Sequence, residues 1–109
     1  MNGGWIGVDL DGTLAQYDGW KGIEHIGEPV PLMVERVRGW LSEGKEVKIF
    51  TARVAGHPDA VVPIYAWCKK HLGRALPVTY MKDMNMLELW DDRAVQVIPN
   101  TGERADGRL

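Results

Sequence analysis

Trp5-Ile6-Gly7-Val8-Asp9-Leu10-Asp11-Gly12-Thr13 decides how this chain is read. The apolar half is short and bounded by Gly3-Gly4 on one side and Asp11-Gly12 on the other. That length and those flanks indicate a buried strand, not a helix. The strand runs directly into two carboxylates and a glycine. Working outward, residues 13–30 hold scattered glycines and aromatics without a period and read as loop, with at most one helical turn or a small hairpin. Pro31 stands where a helix can begin, because its missing N–H is not needed in the first turn. Met33, Val37, Trp40 and Leu41 form one apolar stripe and Gly44 caps it, so the spacing predicts a helix over 31–43.

Val47, Ile49 and Phe50 make a second strand that ends at Thr51-Ala52-Arg53. A second helix turns Val61, Ile64 or Tyr65, Cys68 and Leu72 inward and stops at Gly73, with Pro63 disturbing its first turn. Residues 77–81 are a weaker third strand. Residues 86–90 are a fourth, running into Asp91-Asp92. Residues 95–98 are a short fifth, closed by Pro99. Strands separated by helices of this length imply right-handed crossovers and a parallel sheet covered on both faces. The expected fold is therefore α/β, a three-layer Rossmann-like sheet of about five strands. In such sheets ligands bind at the carboxyl ends of the strands.

At 109 residues the chain has room for one domain, assigned to residues 1–100, with 101–109 as a frayed polar tail. An apolar fraction of 45% and a charged fraction of 26% exclude disorder for the body of the chain. A net charge of −2 excludes a broad basic field for nucleic acid or an anionic membrane. Cys68, the single cysteine, cannot form an internal disulfide or make a zinc site alone, which suits a reducing cytoplasm. Met1 to Gly4 lacks signal-peptide character, and no apolar run approaches membrane-spanning length. A cytoplasmic location follows as an expectation.

The strand ends carry the polar groups. The first delivers Asp9, Asp11, Gly12 and Thr13, the second Thr51 and Arg53, the third Lys82, the fourth Asp91 and Asp92. Carboxylates gathered at one edge repel one another unless a cation neutralises them. All-oxygen ligands suit a hard ion, Mg²⁺ first. A threonine hydroxyl and a lysine nearby suit the oxygens of a phosphate.

The order Asp9-x-Asp11-Gly12-Thr13, Thr51, Lys82, Asp91-Asp92 resembles the four motifs of the haloacid dehalogenase superfamily of phosphatases and phosphotransferases, over residues 5–99. Asp91-Asp92-Arg93 is similar to the ending of its deoxynucleotidase and polynucleotide-phosphatase branches, and the brevity is similar to its capless members. The resemblance implies a Mg²⁺-dependent phosphomonoester hydrolase with no cap domain. Asp9 would be the nucleophile that forms an aspartyl-phosphate, and Asp11 the general acid and then base. Gly12 and Thr13 would shape the phosphate loop, Thr51 would bond a phosphate oxygen, and Lys82 would offset charge. Asp9, the backbone carbonyl of Asp11 and Asp92 would hold Mg²⁺, with Asp91 a ligand directly or through water. Substrates would be nucleotides, small phosphate esters or a polynucleotide phosphate end. The sequence departs from the pattern between Lys82 and Asp91, where residues 83–90 leave no room for the usual helix; Lys69 or Lys70 could take the lysine's place. Without a cap the site is open, or roofed by a large substrate or a second copy of the chain.

Blander readings compete at several positions. Thr51 is also a common strand and cap residue, Lys82 an ordinary surface lysine, and Arg53 a salt-bridge partner as much as a substrate contact. His25, His57 and His71 share no metal-ligand spacing. Cys68 reads as core packing. Trp5, Trp40, Trp67 and Trp90 lie on predicted elements and read as core. Trp20, in the glycine-rich loop, could stack on a base or sugar, seal a subunit interface or pack its own loop. A phosphoacceptor module of the response-regulator receiver type also gathers Asp, Thr and Lys at a sheet edge. Its acceptor follows the third strand, however, where this chain has no Asp before Lys82. A binding domain without turnover is the third reading.

Overall fold

The structure, a computed structural model, describes residues 3–109. In chain order it comprises β1 (Trp5–Asp9), α1 (Pro31–Ser42), β2 (Glu46–Phe50), α2 (Arg53–Gly56), a 3₁₀ turn (Pro58–Ala60), α3 (Val61–Leu72), β3 (Val78–Thr79) and β4 (Met86–Trp90). The four strands form one sheet in the order β3-β2-β1-β4, and every pairing is parallel. The order reverses at β1, whose neighbours are β2 on one side and β4 on the other. The carboxyl ends of β1 and β4 therefore lie side by side at the point where such sheets bind ligands.

The register Ile6↔Val47 and Val8↔Ile49 puts four branched side chains on one face. Met33 and Val37 of α1 and Ile64, Trp67, Cys68 and Leu72 of α3 close over them as a single core. Helix α1 stops where Gly44 turns at φ 81° and its N–H bonds the Leu41 carbonyl at 3.0 Å; Gly73 at φ 88° ends α3. Pro63 is accommodated because α3 continues from the 3₁₀ turn and Pro63 sits in its first turn, where no donor is needed.

Three expectations need correction. Among the described residues no helix covers the opposite face, so the architecture is two-layered, not three-layered. Trp5 does the covering: it is 3% exposed, stacked on Phe50 at 6.5 Å, with its Nε1–H bonded to Asp83 at 2.9 Å. It lies across Gly7, where a methyl group would stand 3.1 Å from Trp5 Cζ3 and 3.3 Å from Leu89 Cδ1. Second, β3 is only two residues long, because the Thr79 hydroxyl accepts the Met81 N–H at 3.1 Å and turns the chain out of the sheet.

Third, the sheet has four strands, not five. Residues 95–98 do not join it; Val97 bridges antiparallel to Arg104, and the Ile98 and Ala105 N–H groups bond the Glu103 and Gln96 carbonyls, each at 2.8 Å. The reason is length: only residues 91–94 separate β4 from this segment, and a parallel neighbour needs a crossover of about a dozen residues. The tail is exposed as expected, but its 103–105 stretch pairs with 96–98 instead of fraying. Among the described residues no helix is long and apolar enough to cross a membrane.

Candidate active site

The carboxyl ends of β1, β2 and β4 open into a cavity of about 570 Å³. Its lining includes Asp9, Asp11, Thr51, Arg53, Asp91, Asp92 and Arg93, together with Tyr17, Trp20, Phe50 and His57. The walls differ in charge.

Asp9 ends β1, and Asp91-Asp92 follow β4, its sheet neighbour. One carboxylate oxygen from each lies within 4.8 Å of the others. The Thr13 hydroxyl ties two of them together, standing 3.3 Å from Asp9 Oδ2 and 3.1 Å from Asp92 Oδ1 while accepting the Asp92 N–H at 3.0 Å. Gly12 makes this approach possible: its φ is 90°, and a Cβ there would fall 2.6 Å from Asp92 Oδ2. Asp91 is held by the Arg93 N–H, 2.7 Å from its Oδ1. No side-chain cation pairs with these carboxylates among the described residues, and the Asp9 carboxyl is pushed up to about 7. Burial is the largest cause, followed by the hydrogen bond to Asp92 and the charges of Asp91 and Asp92; the Thr13 hydroxyl opposes them only in part. Three hard oxygen donors with excess negative charge make a donor set that fits a divalent cation of the Mg²⁺ type.

Asp11 lies outside that cluster. Arg53, at the start of α2, takes both of its oxygens in a fork: Nε to Oδ2 and Nη2 to Oδ1, each 2.8 Å. The same guanidinium bonds the His25 carbonyl at 2.9 Å and the Ile23 carbonyl at 3.4 Å. Its other support is the Trp20 ring, 4.8 Å from the guanidinium carbon. One buried arginine thus neutralises Asp11 and fastens the 17–27 loop over the cavity. The loop is pinched at its base, where Gln16 N–H bonds Glu28 O and Val30 N–H bonds Leu14 O, both 2.8 Å. Trp67 Nε1–H reaches Gly27 O at 3.0 Å from α3. Thr51 is 2% exposed; its hydroxyl accepts the Arg53 N–H at 3.2 Å, which leaves the hydroxyl proton for another partner.

The structure brings together Asp9, Asp11, Thr13, Thr51, Arg53, Asp91 and Asp92 within one cavity region. It does not bring in Lys82, which is exposed beyond the turn that ends β3; Lys69 and Lys70 on α3 do not line the cavity either. The cationic side chains of the lining are Arg53 and Arg93, and the His57 ring lines it as well. Trp5 and Trp67 are core as read, Trp40 and Trp90 are half-buried against each other at 5.2 Å, and Cys68 is fully buried, with its thiol pushed up to about 11 by burial. Nothing local in the sequence points to the Asp11–Arg53 fork or to Tyr17 and Phe50 in the lining. Asp11 and Arg53 are 42 positions apart, and only their places at the ends of adjacent strands link them.

No protein-family model and no curated protein matches the sequence. Among solved structures, a conserved protein coded by a locus of Bacteroides thetaiotaomicron is similar at a TM-score of 0.65 and 22% identity, over 91% of this chain and 84% of that one. That likeness supports the α/β fold and nothing finer.

Proposed function

We propose that the chain is a phosphomonoester hydrolase that works through an aspartyl-phosphate on Asp9, with Mg²⁺ as its cofactor. The observation that carries this reading is the Asp9-Asp91-Asp92 cluster at the switch point of a parallel sheet, facing Thr51 and Arg53 across one cavity. Mg²⁺ held by Asp9, Asp91 and Asp92 would supply charge neutralisation for the carboxylates and the phosphate, and would return Asp9 to its ionised form.

In the first half-reaction an Asp9 oxygen forms a bond to phosphorus, the ester P–O bond breaks, and Asp11 gives its proton to the departing oxygen. In the second, Asp11 takes a proton from water, the water oxygen bonds phosphorus, and the acyl-phosphate P–O bond breaks to release inorganic phosphate and free Asp9. Thr51 donates its hydroxyl proton to a phosphoryl oxygen. Arg53 has a further part. As long as its fork holds both oxygens of Asp11, neither oxygen is free to exchange a proton with substrate or water. Phosphoryl oxygens match the same fork and carry more charge. A bound phosphate would take one arm of the fork, leaving one Asp11 oxygen free to carry a proton and the guanidinium still beneath the Trp20 ring. Lys82 has no place in this scheme.

The Arg53 fork also favours a second reading. If phosphate does not open it, Asp11 cannot serve as acid or base, and Asp9 would accept a phosphoryl group and keep it, as a phosphoacceptor module does. One experiment separates the two. Phosphate release from p-nitrophenyl phosphate and from a panel of phosphate esters is followed with Mg²⁺, with EDTA and in Asp9→Asn. Metal-dependent release that vanishes in Asp9→Asn supports the hydrolase. A stable acid-resistant, hydroxylamine-sensitive label on Asp9 with no release supports the acceptor. Neither release nor label removes both.

A further inference from the structure

Of the five tryptophans only Trp20 is exposed. It is 50% exposed, on a loop, and lines the same cavity as the carboxylates. Two neighbours fix its attitude. The Arg53 guanidinium supports the ring at 4.8 Å, and the His57 ring lies nearly parallel to it, 12° between planes and 6.0 Å between centroids. Both rings line the cavity, so the pair presents aromatic surface to it. An exposed indole held by a cation that also binds Asp11 is a preformed platform, because its orientation is fixed before any ligand arrives.

We infer that Trp20 and His57 form a stacking platform for a nucleobase, so that the ligand of the cavity is a nucleoside phosphate and not an aliphatic phosphate ester. The phosphate is placed by the Asp9–Thr51 region and the base by the Trp20–His57 pair, within a volume suited to a small ligand. Turnover of such a ligand rests on the hydrolase reading; its base-dependent binding does not. The same platform accepts the base of a free mononucleotide or the last base of a phosphorylated oligonucleotide.

The test is equilibrium binding, with Mg²⁺, in Asp9→Asn protein so that nothing is turned over. The ligands are a nucleoside 5′-monophosphate, ribose 5-phosphate and a 3′-phosphorylated trinucleotide. Base stacking predicts that at least one base-bearing ligand binds about tenfold or more tightly than ribose 5-phosphate. The tighter of the two names the source. Trp20→Ala should erase the preference, Trp20→Phe should keep most of it, and circular dichroism should show both variants folded. Equal affinities, no binding by either base-bearing ligand, or a preference that survives Trp20→Ala overturns the inference. Phosphate release by wild-type protein is followed alongside. Release from all three ligands with equal affinities would sink the platform and leave the hydrolase standing. Base-dependent binding without release would do the reverse.

Discussion

Asp9 and Asp11 stand two residues apart at the end of one strand, yet the fold gives them opposite surroundings. Among the described residues Asp9 meets two further carboxylates, a single shared hydroxyl and no side-chain cation, and its carboxyl is pushed up to about 7. Asp11 meets a buried guanidinium that takes both of its oxygens. One side of the cavity is short of positive charge and the other is neutralised from within the chain. The difference shows what the sheet edge is built for. The Asp9 side is complete only with a cation brought from solution, whereas the Asp11 side is complete alone and must be opened before Asp11 can move a proton.

The largest expected effect tests the neutralised side. Arg53→Met leaves Asp11 partly buried without its partner and frees the carbonyls of residues 23 and 25. Breaking a buried pair in this way costs about 3 kcal/mol or more. Urea unfolding should report that loss, and Asp11→Asn added to Arg53→Met should recover part of it, since the two residues share one interaction. A loss below about 1 kcal/mol, the scale of a surface pair, would mean that water already screens Asp11 and that the two sides differ less than the distances imply.

Next in size is the pH response of the side that lacks a cation. Because the Asp9 carboxyl is raised in the folded state, the folded chain holds a proton that the unfolded chain has lost between about pH 4 and 7. The stabilisation from this group is full below about pH 4 and is lost as pH rises through 7. Allowing for solvent screening, metal-free protein should be about 1–2 kcal/mol less stable at pH 8 than this group alone would allow at pH 4. Mg²⁺ should raise the melting temperature at pH 8 far more than at pH 5, and Asp92→Asn should flatten the pH profile between them. An equal response to Mg²⁺ at both pH values would contradict a site at these carboxylates.

Much of this contrast was legible in the chain, and its limits have physical causes. The apolar run from Trp5 and the polar groups following each strand sufficed to place Asp9, Asp91 and Asp92 at one edge, because parallel strands deliver their carboxyl ends to the same side. Periodicity locates the two long helices, and the four-residue α2 is too short to show a period. What it missed was what depends on contacts between distant residues. Trp5 reads as an ordinary strand residue, and nothing local says that it covers the second face of the sheet. The Asp11–Arg53 fork joins two loops whose relative placement only the sheet order fixes. The fifth strand was misplaced for a reason the sequence does contain: residues 91–94 are too few to cross over to a parallel position. Lys82 stands out only by its place in a motif order, and the turn that strands it in solvent rests on one threonine hydroxyl.

The smallest effect probes the link that holds the acidic side together. Thr13 is buried, and its hydroxyl touches Asp9 and Asp92 while accepting the Asp92 N–H. Thr13→Val keeps the shape and removes the oxygen. The loss of one such bond network should lower stability by only about 1 kcal/mol. The effect on metal binding should be proportionally larger, because residues that orient ligands typically govern metal affinity by about tenfold or more. Calorimetric titration with Mg²⁺ at pH 8 should therefore show weaker binding in Thr13→Val, while the Arg53-dependent part of the stability is untouched. If the hydroxyl only fills space, Mg²⁺ affinity will not change. If instead Thr13→Val proves as damaging as Arg53→Met, the two sides of the cavity are one network, and Asp9 and Asp11 cannot be treated as separate sites.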